Sequence, residues 1–389
     1  MLEFFIESML FYLLEHAYVC LHLYFLFRRK HFFFVALPLF LCMGFFPLVF
    51  LLLPEGSGVQ KLFSLFGTFW LPGVFFLFLA FLAGDLMNVL NRLARKHLPR
   101  LHFPAPRGAW WAVFLFFCAL AYGYGLYEAR SLQVTRLSIP VEELPEGYKA
   151  FRIIFASDMH INPHTGIRML QNSVDAIMEQ KPDLILLGGD ILDDGLQGTQ
   201  EDLDALRRLK SPFGVYGVLG NHDARVDAAR AGEFLSRAGI RMLAEEMAVT
   251  GPVTIIGMDD PTVYEEKGGD DQDGEFLKLV KKSKAEHPKN LLLILEHKPI
   301  VRKEYIGLYD LQVSGHTHGG QIFLISPHVH AKYGVKPGLN RFSGQAGNSL
   351  FYVSNGTGFS KLPIRLLAPP EILVIDLMFS PQVRSEAPQ

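Results

Sequence analysis

The sequence predicts two unlike parts: an N-terminal α-helical transmembrane bundle over residues 1-130 and a layered α/β domain over residues 150-379. Three observations carry this. Phe-rich apolar runs crowd the first third of the chain, and short β-branched runs alternate with amphipathic stretches in the remainder. The charge also divides: residues 1-130 hold ten Lys/Arg against six Asp/Glu, and the other 259 hold 27 against 33, so the formal charges are +4 and −6. A composition 50% hydrophobic and 20% charged excludes a disordered chain. A formal net charge of −2 carries no basic signature, and no nucleic acid is expected as partner.

Four apolar runs approach the ~20 residues that cross a bilayer as helix. They lie at about Phe4-Phe27, Phe32-Leu53, Leu62-Ala83 and Ala109-Tyr127. Glu7, Glu15, His16 and His22 sit inside the first, so that segment either turns these groups into the bundle or lies partly in the interface. A signal peptide fits poorly, because no basic region precedes the run and no small-residue cleavage site follows it. Pro38, Pro47 and Pro72 fall within spans two and three, where neighbouring groups can satisfy the freed carbonyls. Trp110 and Trp111 open the fourth span as an interfacial anchor would.

Orientation follows from the cations. Arg28, Arg29 and Lys30 lie between spans one and two, and Arg92, Arg95, Lys96, Arg100 and Arg107 between spans three and four. The loop Pro54-Lys61 has a single Lys. The positive-inside rule puts the basic loops in the cytoplasm and everything after span four outside. Cys20, Cys42 and Cys118 all lie in apolar spans, so no disulfide framework is expected.

Residues 131-149 read as a linker and 380-389 as a C-terminal tail. Between them, strands are expected at Phe151-Ser157, Asp183-Gly189, Gly214-Gly220, Val253-Asp259, Leu291-Glu296, Leu311-Gly315, Leu350-Asn355 and Ile372-Leu377. Helical patterns fill Gly166-Gln180, Glu201-Leu209, Ala224-Ala238 and Glu275-Ala285.

What stands at the strand ends is informative: Asp158 and His160, Asp190, Asn221 and His222, His297, then His316 and His318. Open α/β sheets gather function at their carboxyl ends. Carboxylate, amide and imidazole without thiolate suit Mn, Fe, Zn or similar divalent ions, and the set is too large for one tetrahedral zinc. It matches two divalent metal ions that share a carboxylate and a water. Any one of these residues alone reads as a helix cap or an ordinary histidine; five such segments in order do not.

The blocks S-D-M-H (Ser157-His160), G-G-D (Gly188-Asp190), G-N-H-D (Gly220-Asp223), E-H (Glu296-His297) and G-H-T-H (Gly315-His318) resemble the calcineurin-like metallophosphoesterase superfamily. The extended G-H-T-H-G-G-Q, with N-G-T-G (Asn355-Gly358), P-I-R (Pro363-Arg365) and P-E-I (Pro370-Ile372), looks like its membrane-associated bacterial branch. The resemblance implies a four-layer α-β-β-α sandwich with a dinuclear site at the edge of its two sheets. It assigns Asp158, His160 and His318 to one metal, Asn221, His297 and His316 to the other, and Asp190 as bridge. It implies hydrolysis of a phosphodiester, diphosphate or phosphomonoester bond by attack of a metal-bridging hydroxide, with His222 as the catalytic acid or transition-state donor. The expected substrate is a phosphate-containing small molecule or lipid, the expected place a bacterial cell membrane, and no protein partner is predicted.

Other polar residues read two ways. Asp223 either orients His222 or caps the helix that follows. His164 and Asn355 are candidate substrate contacts or turn residues, and Arg365 binds a phosphate or pairs with Glu371. Ser326-Ser349, with His328, His330, Lys332, Lys336 and Arg341, is a basic lid or an exposed connection. The rival to the enzyme is a transmembrane sensor or transporter whose sandwich binds a phosphate ligand without turnover.

Overall fold

The computed structural model describes residues 2–26, 34, 38, 58–98, 109–141, 144, 149–162, 166–193, 198–323, 326–360 and 362–380. The chain divides into two compact units, one built on Met1–Tyr127 and the other on Glu128–Ser360 with Arg365–Gln389.

The first unit contains helices α1 (Leu2–Leu26), α2 (Gly58–His97) and α3 (Ala109–Glu128). Spans one, three and four fall on them; span two, with Pro38, Pro47 and Cys42, lies outside the described stretches apart from single residues. Helix α2 runs past its expected end, so Arg92, Arg95 and Lys96 ride its last turns. Phe69–His97 and Ala109–Glu128 are long and apolar enough to cross a membrane. Large apolar side chains along both remain exposed, among them Leu82, Leu86, Phe116, Phe117 and Leu120.

Polar groups on α1 turn inward instead, as their cost in hydrocarbon demands: Glu15, His16 and His22 are all buried. Asp85 of α2 gathers three of the bundle's donors. Tyr18 Oη donates to its Oδ2 at 2.7 Å, His22 Nε2 lies 2.9 Å from the same oxygen, and Trp111 Nε1 donates to Oδ1 at 2.9 Å. Trp111 is therefore an inward partner of Asp85. Gly84 permits this, because a Cβ there would stand 2.1 Å from the Trp111 ring.

The second unit holds two mixed six-stranded sheets. The first contains β1 (Gln133–Val141), β2 (Ala150–Ala156), β3 (Leu184–Gly188), β4 (Val215–Val218), β5 (Arg241–Met242) and β12 (Glu371–Phe379), in the order β1-β12-β2-β3-β4-β5. The second contains β6 (Glu246–Thr250), β7 (Val253–Met258), β8 (Leu291–Glu296), β9 (Leu311–Ser314), β10 (Gly338–Gly344) and β11 (Gly347–Val353), in the order β10-β11-β9-β8-β7-β6. The segment read as a linker is thus partly structural. Gln133–Val141 pairs in parallel with β12, which itself lies antiparallel to β2. Its alternating pattern Q-V-T-R-L-S-I-P-V is that of an edge strand, with Pro140 tolerated there.

Period-two alternation builds the layers. On β2, Phe151, Ile153 and Phe155 face a core shared with Leu291, Leu293 and Leu295 of β8. The intervening Ile154 and Ala156 pack in a separate core with Leu170, Val174 and Ile177 of α4 (Gly166–Glu179) and with Leu203 and Leu206 of α5 (Gln200–Leu206). Helix α6 (Asn221–Arg237) joins this layer through Phe234 and Leu235. On the far side, Leu292 and Ile294 of β8 meet Phe276 and Val280 of α8 (Gln272–Glu286); α7 (Pro261–Glu266) is the short helix before it. Strands buried on both faces have no polar side to show, which is why they read as continuous apolar runs. Helix α9 (Ser326–Tyr333) and the hairpin β10–β11 occupy the stretch expected to be a lid or connection.

Candidate metal centre

Parallel strands β2, β3 and β4 of one sheet and β8 and β9 of the other each end on a residue of the expected set. Backbone bonds lock these ends together: Asp158 N donates to Gly189 O, His160 N to Asp190 O, and Gly315 N to His297 O. His316 N donates to both oxygens of Asp158, at 3.0 and 3.1 Å.

Two clusters draw on the expected set alone, each with ligand atoms within 4.8 Å of one another: Asp158, His160 and His318 in one, Asp190, His297 and His316 in the other; a third joins His160 and His222 to Asp193. In the first, His160 Nε2 and His318 Nε2 stand 3.0 Å apart, and His318 Nε2 lies 3.4 Å from Asp158 Oδ1. In the second, His297 Nε2 lies 3.1 Å from Asp190 Oδ2 and 3.2 Å from His316 Nδ1. Asp190 Oδ2 is also 3.8 Å from His160 Nε2, so one carboxylate faces both groups.

Several features fit this donor set to cations. Imidazole nitrogens facing each other at these separations need a proton or a metal between their lone pairs. Asn221 Oδ1 is buried and meets no donor among the described residues. His297 Nδ1 faces Gly188 O at 2.8 Å, so that nitrogen donates to the carbonyl and Nε2 is the atom turned toward Asp190. The backbone is strained as well: Asp158, His160, Asp190, His316 and His318 all have φ between 46° and 69°. Non-glycine residues avoid this region, at a cost of about 1–3 kcal/mol each, and persist in it at functional sites. Glycines admit the carboxylates: a Cβ on Gly315 would stand 2.2 Å from Asp158 Oδ2, and one on Gly220 2.2 Å from Asp190 Oδ1.

The electrostatics agree. Burial alone would raise the Asp190 carboxyl, but His297 overrides it and holds the group well below the ordinary carboxylate range. Burial would likewise depress His297, and Asp190 instead carries it up to about 10. Burial, assisted by His297 and His160 respectively, pushes His316 and His318 well below their usual value and keeps them neutral.

His222 borders the first cluster, its ring edge-on to His160 at 4.7 Å between centroids. Its Nδ1 faces Asp193 Oδ1 at 2.9 Å. Asp193, absent from the expected set, is held in turn by Asn162 Nδ2 at 2.8 Å and lies 3.4 Å from His160 Nδ1. The available signal was a second carboxylate three residues after Asp190 on the same loop.

Asp223 does something else. Its carboxylate accepts backbone N–H groups from Leu192 and Gly220, both at 2.9 Å, and from Ile191 at 3.4 Å. It is spent on tying two ligand loops together at the start of α6, so the role of orienting His222 passes to Asp193. Burial and the Asp190 charge raise it to about 6.

Arg365 corrects both of its expected roles. Fully buried, it donates to the carbonyls of Asn355, Gly358 and Ala368 and to His318 Nδ1 at 3.1 Å. Glu371 is instead taken by Thr135, Tyr352 and the Asn355 N–H. Asn355 packs beside Gly319, and its Nδ2 donates to Pro369 O. His164 lies outside the described residues.

The calcineurin-like phosphoesterase family model matches residues 151–320. An uncharacterised metallophosphoesterase of Bacillus subtilis is 32% identical over 269 residues, 66% of this chain and 89% of that one. One from Aquifex aeolicus is 29% identical over 270 residues, 68% of this chain and 98% of its own length. A transmembrane protein with metallophosphoesterase domain from Danio rerio is 30% identical over 270 residues, 65% of this chain and 59% of the relative. The chain belongs to the calcineurin-like metallophosphoesterases and is a metal-dependent phosphoric ester hydrolase.

Proposed function

We propose that this chain is a membrane-anchored, extracytoplasmic phosphoesterase of a bacterial cell membrane, working with two divalent ions on a lipid-linked phosphate or diphosphate. One observation carries the catalytic part: ligand-type residues from four strand ends converge into two clusters, with Asp190 facing both. Asp158, His160 and His318 would hold one ion and Asn221, His297 and His316 the other. When bound, such ions neutralise phosphoryl oxygens and lower the pKa of a water so that it can attack phosphorus.

The chain's own residues do the rest. His222 turns Nδ1 to Asp193, and its Nε2, 3.5 Å from Arg225 Nη1, is the nitrogen that would donate a proton to the leaving oxygen or stabilise the charge growing there. Asp193 fixes the ring. The lipid-linked substrate is supported by the apolar helices and by the transmembrane relative. The extracytoplasmic side is supported by the cations at Arg28–Lys30 and Arg92–Arg107.

The test is hydrolysis of bis(p-nitrophenyl) phosphate, p-nitrophenyl phosphate and a lipid diphosphate by detergent-purified protein, with Mn²⁺ or chelator and with His222→Ala. Chelator-sensitive turnover that falls by about 10²–10⁴-fold in the variant supports the reading. Turnover indifferent to chelator sinks it, and a strong preference for the soluble esters removes the lipid-linked substrate. A cysteine at Ser380, in a background lacking Cys20, Cys42 and Cys118, should react with an impermeant thiol reagent in intact cells; labelling only after lysis places the domain inside.

A further inference from the structure

We propose that Tyr333, at the end of α9, is a positioning residue for His316; this rests on the metal reading above. Its hydroxyl lies 2.8 Å from His316 Nε2, and the two rings meet edge-to-face at 5.6 Å. On its other side, His316 turns Nδ1 toward His297 Nε2 and the Asp190 cluster. A nitrogen that ligates a cation must keep its lone pair, so the single imidazole proton belongs on Nε2, with the Tyr333 oxygen as acceptor. The hydroxyl thus selects the ring orientation and the tautomer that aims Nδ1 at the metal.

Tyr333 is itself well held. Its ring packs against a buried cluster of Val335, Phe351 and Val353, with Val301 and Phe342 beside it. The other end of α9 is pinned to the same ligand loop, where Ser326 Oγ donates to Gly319 O and the Gly320 backbone lies against Ser326. Helix α9 therefore braces the Gly315–Gln321 loop at both ends. A phenol fixed by packing is a stiffer support than a water, and support of this kind is worth about 10–100-fold in metal affinity.

The variant that isolates the hydroxyl is Tyr333→Phe, which keeps the ring in its cluster. Full-length protein, stripped of metal and held in detergent, is titrated with Mn²⁺ by calorimetry, alongside His316→Ala and the double variant. The expected result is one site unchanged and the other weakened by about 10–100-fold in Tyr333→Phe, with the metal-free melting temperature unaltered. In the His316→Ala background the same change should add nothing. Two wild-type-like sites in Tyr333→Phe would overturn the role of Tyr333 alone, as would an equal loss in both backgrounds. A wild type that takes up no Mn²⁺ would overturn the metal reading and this inference with it.

Discussion

Both units of this protein set aspartate beside histidine, yet they do so in opposite styles. In the helical unit, Asp85 sits on regular helix and takes Tyr18, His22 and Trp111 as partners, so its oxygens are matched by neighbouring side chains. At the sandwich's site, like atoms face like atoms, Asn221 Oδ1 meets no donor among the described residues, and Asp158, His160, Asp190, His316 and His318 have positive φ. Satisfaction on relaxed backbone marks a structural clamp; frustration on strained backbone marks a place built for something that is not protein. Glu15 departs from this on the helical side, since its buried Oε1 meets no donor among the described residues.

The contrast can be broken where it is sharpest. Asp190→Asn should lower turnover by more than about 10³-fold, because both clusters lose their shared anion, and should release at least one ion. Metal content measured beside activity checks it, and a fully metallated, active variant would end the assignment.

Removing one member of a satisfied buried pair tests the clamp side. Glu296 is fully buried and forked by Arg302 at 2.7 and 3.0 Å, with Gln312 at 3.1 Å. Arg302→Met should destabilise the sandwich by about 3–5 kcal/mol by leaving a buried charge unpaired. Burial raises the Glu296 carboxyl even with Arg302 present. A raised carboxyl binds more protons folded than unfolded, so its contribution to stability falls as pH rises through the interval above the usual Glu value. Thermal melts of the variant should accordingly recover toward wild type as pH is lowered from neutrality, and a pH-independent deficit would contradict this.

Asp193→Asn separates positioning from ligation. Loss of the anion beside His222 should lower kcat by about 10–100-fold, with both ions retained. Asp85→Asn is the mildest: the bundle should lose about 1–2 kcal/mol of helix cohesion, with hydrolysis of a soluble ester unchanged. A collapse of that activity would make the polar cluster more than a clamp.

The strand-end candidates were legible in the sequence because each follows a short apolar run, and that run is buried on both faces. Asp193 was not, since a carboxylate in a loop looks like any solvated turn residue until His222 is placed against it. Tyr333 left no signal, for its partner is 17 residues back and the contact depends on how α9 folds over the loop. Arg365 misled because a basic residue near a motif suggests phosphate, whereas a fully buried guanidinium can be satisfied by carbonyls alone. The Gln133–Val141 strand was missed because its partner lies 238 residues further along the chain.

That pairing has a consequence for biogenesis. Strand β12 lies between β1 and β2, so the first strand made after α3 has no neighbour until Glu371–Phe379 emerges from the ribosome. For the whole interval of synthesis, β1 offers an open edge to any passing strand. Polar and charged residues such as Arg136 and the proline at position 140 make that edge a poor template. A chain released early would keep helices α1, α2 and α3 and much of its candidate site, yet would leave the cell a sheet that cannot close.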